Sequence, residues 1–141
     1  MTGPAPGAVV VDSSAAVAIV LGEAGSDHLI ACLECAAARL MSAASRVESG
    51  IVIEARLGPA GADMLARFVR DAEIEVVAVD ADTADRALSA WRRYGKGRHR
   101  AALNFGDCFV YALGERTGLP VVCTGDDLAA TDLEVIRPPS P

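Results

Sequence analysis

The amino-acid sequence predicts an α/β fold in which helices cover both faces of a mostly parallel β-sheet. Short apolar runs, fit for strands buried on both faces, alternate along the chain with longer segments of helical character. This alternation is typical of strand–helix–strand units, which build parallel sheets. The 141 residues, 52% of them hydrophobic, suffice for one domain with a substantial core.

The first half of the chain supplies two predicted strands and four predicted helices. The strands lie at 8–11 and 39–42, and the helices at about 13–21, 26–38, 46–57 and 61–72. Ser13 or Ser14 can cap the first helix, which Gly22 ends, and Ser45 can cap the third. Short connections between these segments leave no room for a domain boundary.

The second half repeats the alternation and ends in a Pro-rich tail. Strands are predicted at 75–79, 120–123 and 133–136, with helices at 82–94 and after Asn104. The Gly- and Pro-rich residues 1–7 predict a disordered leader. We therefore expect a single domain over residues 8–137, followed by a tail at 138–141.

Charge and hydropathy exclude several classes of protein. A net charge of −6 argues against a protein that attracts nucleic acid through its overall electrostatic field. A local basic site for nucleic acid remains compatible with this charge. The most apolar stretch, residues 8–21, is interrupted by Asp12 and two serines, and is shorter than the ~18–20 residues of a membrane span. No basic residue precedes it, so no secretory signal and no membrane partner are predicted, and we expect a cytoplasmic protein with reduced cysteines.

Acidic residues occur where they would meet at one edge of the sheet. Asp12 follows the first strand, Asp107 opens the last long helix, and Asp126 and Asp127 follow the next strand. Ligands of open α/β folds bind outside the carboxyl ends of the strands, where these acids are expected. Taken singly, Asp12 is also a good helix cap, Asp107 a favourable first-turn acid, and the other two good turn formers. Their joint occurrence favours a site.

A fifth acid, Glu48, heads a stripe on the third predicted helix. Glu48, Ile51, Val52 and Ala55 are spaced to share one helix face, which we expect to be buried. A buried ionised carboxylate needs a compensating partner. Several carboxylates that share a site need protons or cations, and an all-oxygen site suits Mg²⁺ or Mn²⁺. Since such ions activate water and bind phosphates, the acids predict phosphodiester hydrolysis.

The segment RRYGKGRHR, residues 92–100, concentrates positive charge just before Asp107. Its cations are candidates for holding a phosphate backbone, and the other interpretation is a solvated helix end. The candidate RNA contacts are Ser14, Arg92, Arg93, Lys96, Arg98 and Arg100. Elsewhere, His28, Cys32 and Cys35 share a helix face, but without a second ligand pair we interpret them as packing residues.

Three motifs carry a resemblance to a known family: VVVDSSA, SRVESGIVIEAR and NFGDCFVYALGERTGLPVVCTGDDL. Together they resemble the PIN-domain ribonucleases of the VapC toxin type, over residues 9–136. The resemblance implies a three-layer α/β/α PIN-like fold and Mg²⁺- or Mn²⁺-dependent cleavage of RNA of the tRNA or rRNA class. It also implies a VapB-like antitoxin partner and a homodimer.

Carried over by position, the resemblance makes Asp12, Glu48 and Asp107 the main metal-site acids, with Asp126 or Asp127 as the fourth. Ser13 or Ser14 stands where such chains usually have a hydroxyl. Leu128 departs from the family by replacing a usual aromatic residue. The alternatives are a PIN nuclease of RNA processing, an aspartyl-phosphate phosphatase or receiver domain, and a non-catalytic binding module. The phosphatase would need an acid at position 14 and a phosphate-binding lysine, and Lys96 is the only lysine.

Overall fold

A five-stranded sheet forms the centre of the computed structural model, which describes residues 7–139. The strands are β1 (Val9–Val11), β2 (Arg39–Ser42), β3 (Ile74–Val77), β4 (Val121–Val122) and β5 (Val135–Ile136). Their order is β3-β2-β1-β4-β5, and all four pairings are parallel. The predicted parallel sheet is confirmed. The predicted leader falls outside the described residues, apart from Gly7, whose carbonyl accepts a hydrogen bond from the amide of Ala37.

Six helices cover the sheet and complete a three-layer α/β/α fold. They are α1 (Ser13–Leu21), α2 (Ser26–Cys35), α3 (Ala43–Leu57), α4 (Pro59–Asp71), α5 (Ala81–Tyr94) and α6 (Phe105–Thr117), and a short 3-10 helix spans Leu128–Ala130. Successive side chains of a strand point to opposite faces. Val10 accordingly packs with residues of α5 and α6, whereas Val9 and Val11 pack with residues of α1 and α2.

The strand order changes direction between β1 and β4. From β1 the chain proceeds to β2 and β3 on one side, and then returns to place β4 on the other. The amide of Asp12, just past β1, donates to the carbonyl of Val122 at 3.0 Å, so the two strand ends stay together. Ligand-binding crevices of open α/β sheets form at such a switch point.

Two helices have caps other than the serines predicted for them. The cap of α1 is Asp12, whose carboxylate accepts from the amide of Ser14, rather than a serine. Helix α3 begins at Ala43. The hydroxyl of Ser42 accepts a hydrogen bond from the amide of Ala44 at 3.2 Å, so Ser42 caps the helix instead of Ser45. Ser45 is instead buried within the helix.

The predicted buried stripe of α3 is wrong. Ile51 is 65% exposed and Ala55 is also exposed, whereas the buried face carries Ser45, Ser49 and Ile53. The hydroxyl of Ser49 donates to the carbonyl of Ser45 at 2.7 Å, which satisfies a buried polar group. The packed face of this helix therefore combines Ile53 with small polar residues, and of the predicted apolar stripe only Val52 is partly buried against the core.

The cysteines are all free thiols. Cys108 and Cys123 are core residues, whereas Cys35 is exposed, so the packing interpretation fails for Cys35. Among residues 7–139, no single helix is long and apolar enough to cross a membrane. Helices α1 and α2 reach that length and composition only as a pair, which is bent by 118°.

Candidate active site

Asp12 is the most buried of the predicted site acids. It lies directly after β1 and is 5% exposed. Its Oδ2 accepts hydrogen bonds from the amide and the hydroxyl of Ser14. Its Oδ1 is buried and has no hydrogen-bond partner in the described part of the chain. Burial raises the pKa of this carboxyl, against the lowering effect of the bonds from Ser14. An unsatisfied buried carboxylate oxygen costs free energy, so its presence indicates a ligand-binding role.

Asp107 lies in the first turn of α6, where a capping box fixes it. Its Oδ2 accepts from the amide of Asn104 at 3.1 Å, and the Asn104 side-chain oxygen accepts from the amide of Asp107 at 2.9 Å. Burial, together with the charges of Asp12, Asp127 and Glu48, raises the pKa of Asp107 to about 6, against the lowering effect of the hydrogen bond from the Asn104 amide. Four carboxylates therefore share one region.

Glu48 extends from α3 into this region. Ile51 and Ala55, which were predicted to share its buried helix face, are exposed instead. Its Oε1 accepts a hydrogen bond from the hydroxyl of Ser13 at 2.6 Å. On its other side, a Cβ atom at Gly106 would lie only 2.4 Å from Oε2. The carboxylate is thus held between the start of α1 and the start of α6. The sequence carries a signal for this contact, a glycine directly before the acid of α6, which our sequence interpretation did not use.

The structure separates the two acids after β4. The carboxylate of Asp126 is 97% exposed and pairs with the guanidinium of Arg137 at 2.7 Å. Arg137 also donates to the carbonyl of Gly125, and so holds this turn against the residue that follows β5. The charge of Asp127, but not that of Asp126, raises the pKa of Asp107. Asp126 is therefore not brought to the other acids. We define the acid cluster as Asp12, Glu48 and Asp107 together with Asp127, which is exposed and is included for its charge effect at Asp107.

Ser14 joins two strand ends instead of facing solvent. Its hydroxyl donates to Asp12 and accepts from the amide of Thr124 at 3.0 Å. With both bonds made, the hydroxyl is engaged within the site, and the RNA contact predicted for Ser14 stays a prediction. The contribution of Thr124 comes from its backbone, so the residue type carried no signal.

The basic segment forms a closed loop beside the start of α6. Gly95 pairs with Leu103, and the amide of Lys96 donates to the Leu103 carbonyl at 3.0 Å. Because Leu103 immediately precedes the cap of α6, the backbone of this loop, which carries three exposed cations, is tied to the helix end that bears Asp107. These cations are Lys96, Arg98 and Arg100.

The other two arginines of the segment end helix α5. Arg93 pairs with Asp132 at 3.4 Å and lies over the ring of Tyr94, so the structure assigns it a structural contact. The guanidinium of Arg98 stacks over Trp91, 4.3 Å from the ring centroid, and donates to the carbonyl of Arg92.

The acid cluster fits a hard cation in its donor chemistry. Every donor is a carboxylate oxygen, one of them buried without a partner among the described residues, and the pKa of Asp107 is raised by burial and by its acidic neighbours. Among residues 7–139, no three acidic, histidine or cysteine side chains are arranged to hold a metal as they stand. Binding of one ion by three of these carboxylates at once would require them to draw closer together, whereas Mg²⁺ is commonly held by one or two carboxylates and several waters.

Comparisons with known proteins match the chain to one family. The family model described as PIN domain matches residues 9–132. Ribonuclease VapC30 of Mycobacterium tuberculosis is 44% identical over 131 residues, which cover 93% of this chain and 100% of the relative. Ribonuclease VapC of Mycolicibacterium smegmatis is 45% identical over 129 residues, covering 92% and 100%.

Solved structures share the fold at low sequence identity. Mycobacterium tuberculosis VapC20, described as a sarcin-ricin loop cleaving toxin, aligns with a TM-score of 0.74 and 19% identity, covering 89% of this chain and 95% of that one. VapBC-5, from the same organism, is described as a member of the VapBC family of toxin-antitoxin systems. It aligns with a TM-score of 0.64 and 22% identity, covering 95% and 99%.

Proposed function

This chain belongs to the PIN-domain family, with the VapC ribonucleases as its relatives, and from this premise we propose that it is a metal-dependent endoribonuclease. We further propose that it acts as the toxin of a VapBC-type toxin–antitoxin pair in the cytoplasm. The observation that carries the proposal is the convergence of Asp12, Glu48, Asp107 and Asp127, with the pKa of Asp107 raised to about 6. Strongly perturbed carboxyls in a crevice are typical of functional sites.

The acid cluster would hold Mg²⁺ or Mn²⁺. When bound, such an ion lowers the pKa of a water molecule and stabilises the charge on phosphoryl oxygens. Asp12 and Asp107 supply oxygens at the strand edge and the helix start, while Glu48 supplies a third from α3. Ser13 orients Glu48, and Ser14 orients Asp12, through the hydrogen bonds described above.

The loop formed by residues 95–103 would bind the RNA backbone. Its exposed cations are attached beside the α6 start, and they concentrate positive charge in a protein of net charge −6. Phosphate contacts position a nucleic acid without reading its sequence. They therefore account for RNA affinity, whereas the choice between tRNA and rRNA requires further contacts.

A groove of about 640 Å³ between α1, α2 and α4 is the site that we assign to a VapB-like antitoxin. Its apolar wall includes Ile19, Val20, Ile30, Leu33, Met64 and Phe68. A helix with one apolar face is the partner that such a groove accepts. Ile30 and Met64 are 37% and 41% exposed, which leaves apolar area for a partner to cover.

We also propose a homodimer, on the family resemblance. The exposed apolar side chains of Val47 and Ile51, one turn apart on α3, support α3 as its surface. Ile51→Glu is expected to convert a dimer into a monomer in light scattering after size exclusion. An unchanged mass would contradict this surface.

The direct test of the proposed function is cleavage of total RNA by the purified protein. We expect cleavage with Mg²⁺ or Mn²⁺ and no cleavage with EDTA. Cleavage should return when metal is added back in excess over EDTA. Asp107→Asn, purified in the same way, controls for contaminating nuclease. Cleavage that persists in EDTA or in Asp107→Asn would contradict the assignment of metal chemistry to this cluster.

A further inference from the structure

Phe105 is the most exposed large apolar side chain among the described residues. It is 81% exposed, although it opens α6 beside the acid cluster. Its ring makes one aromatic contact, edge-to-face with Phe109 at 4.9 Å between centroids. That contact leaves most of the ring surface accessible.

The exposure of Phe105 is not explained by folding. Helix α6 packs through other residues, among them Cys108, Val110, Tyr111 and Leu113. The capping box that starts the helix uses Asn104 and Asp107, on either side of Phe105. A side chain this exposed contributes little burial free energy, so it is a candidate for a binding role.

Phe105 lies between the two parts of the site that concern RNA. Asp107 follows it by two residues, which places the two side chains on different flanks of the same helix end. Leu103, the base of the cationic loop, precedes it by two residues and is hydrogen-bonded to Lys96. An RNA strand that crosses the start of α6 between the loop and the acids therefore passes the free ring.

We propose that Phe105 is a stacking platform for an unpaired nucleobase about one or two nucleotides from the scissile phosphate. This inference rests on the proposed ribonuclease function and adds a residue that positions the substrate beside the acid cluster. Sites for single-stranded nucleic acid combine cationic side chains with aromatic rings on which bases stack. In a duplex, each base is already stacked and paired, so Phe105 favours loops and single strands.

The surroundings of Phe105 favour RNA over a protein partner. The sequence neighbours of Phe105 are polar or have no side chain, namely Asn104, Gly106 and Asp107, and its aromatic contact is the partly buried Phe109, whereas protein interfaces centre on contiguous exposed apolar area. Trp91, the other exposed aromatic nearby in sequence, already has the Arg98 guanidinium on its face. The ring of Phe105 has no such cover.

Binding of oligoadenylate in EDTA, which prevents cleavage, tests the proposal. The probes are a single strand, the same strand with abasic riboses, and its duplex with oligouridylate. Phe105→Ala is expected to weaken binding of the ordinary single strand by about tenfold and to leave binding of the abasic strand and of the duplex unchanged. Phe105→Trp should retain the affinity, and Phe105→Leu should lose it, because stacking needs a flat ring. Leu88→Ala, which truncates another exposed apolar side chain, is the matched control.

If Phe105→Ala lost equal affinity for the ordinary and the abasic strands, or if Phe105→Leu retained the wild-type affinity, base stacking on Phe105 would be overturned. Unchanged RNA affinity in Phe105→Ala, together with a changed oligomeric mass or lost antitoxin binding, would reassign Phe105 to a protein interface. These failures differ from failure of the ribonuclease proposal, in which the wild-type protein cleaves no RNA with metal present.

Discussion

Gly106 leaves the space that the carboxylate of Glu48 occupies. A Cβ atom at position 106 would approach Oε2 of Glu48 to 2.4 Å and its Cδ to 2.8 Å, distances at which one group has to move. Glycine in a first helical turn is otherwise a poor choice, costing about 1 kcal/mol relative to alanine. The residue is therefore explained by the acid that it accommodates.

Gly106→Ala should lower RNA cleavage by at least about tenfold while the protein stays folded. The new methyl group would displace the Glu48 carboxylate and strain its bond to Ser13. Cleavage rates and thermal unfolding midpoints measure the two effects. Gly50→Ala is the matched control, because a Cβ atom there meets its nearest neighbour at an ordinary 3.7 Å. Equal activity of both variants would show that Glu48 has no fixed place in the site.

Asp107→Asn should stabilise the metal-free protein at neutral pH. The folded pKa of about 6 lies above the ordinary value of 3.8, so the folded state binds the proton more tightly than the unfolded state. The unfolding free energy therefore falls as pH rises from about 4 through 6, and the penalty persists above that range. Asparagine removes the charge and keeps an oxygen that accepts from the Asn104 amide.

The expected gain is about 1 to 2 kcal/mol at pH 7.5, after a reduction for solvent screening of the partly exposed carboxylate, and close to zero at pH 4. Denaturant unfolding in EDTA at the two pH values measures it. Asp63→Asn, an exposed acid on α4, is the control. A variant that loses stability at pH 7.5 would contradict the account of Asp107 as a strained, uncompensated carboxylate.

Asp127→Asn and Asp126→Asn should differ in activity. Asp127 contributes charge at Asp107, whereas Asp126 is turned out to Arg137. Cleavage should fall at least about tenfold in Asp127→Asn, because losing one stabilising group at an active site raises the reaction barrier by a few kcal/mol. It should fall less than about threefold in Asp126→Asn, because an exposed ion pair contributes about 1 kcal/mol or less. Measured rates in the reverse order would assign Asp126 to the metal.

Neutralising Arg98 and Arg100 together should weaken RNA binding and flatten its dependence on salt. Each phosphate contact on a single strand contributes a slope of roughly −0.7 in log affinity against log salt, so a change of up to about 1.4 is expected. Titrations of the Arg98→Gln, Arg100→Gln double variant at several salt concentrations measure it. Arg70→Gln, 71% exposed on α4, removes a cation away from the loop and should leave the slope unchanged. Identical slopes in all three proteins would remove the loop from the RNA path.

The parallel sheet and most of the acid cluster were predictable because local chemistry and topology agree. Asp12 follows a strand, and Asp107 opens a helix. The carboxyl ends of parallel strands lie at one edge of the sheet, whatever the details of packing. Glu48 was predicted for a wrong reason. Two members of its apolar stripe, Ile51 and Ala55, are exposed, and the buried face carries Ser45, Ser49 and Ile53 instead. The Ser49 hydroxyl is satisfied within the helix, whereas the Ser45 hydroxyl is buried without a partner among the described residues. Periodicity cannot anticipate a helix that packs through small polar residues.

The choice between Asp126 and Asp127 depends on a contact that no local pattern encodes. Arg137, 11 residues after Asp126, reaches back to this turn because β5 pairs with β4 in parallel. The role of Ser14 likewise depends on the amide of Thr124, 110 residues away. Both features follow from strand order rather than from residue spacing.

Sequencing of cleaved RNA ends after induction of the wild-type protein and of Asp107→Asn in parallel tests the central claim most directly. The account predicts new ends at one or a few defined positions with the wild type, located in unpaired RNA, and none with Asp107→Asn at equal protein level. The same ends at the same abundance in both would contradict the assignment of RNA cleavage to the acid cluster.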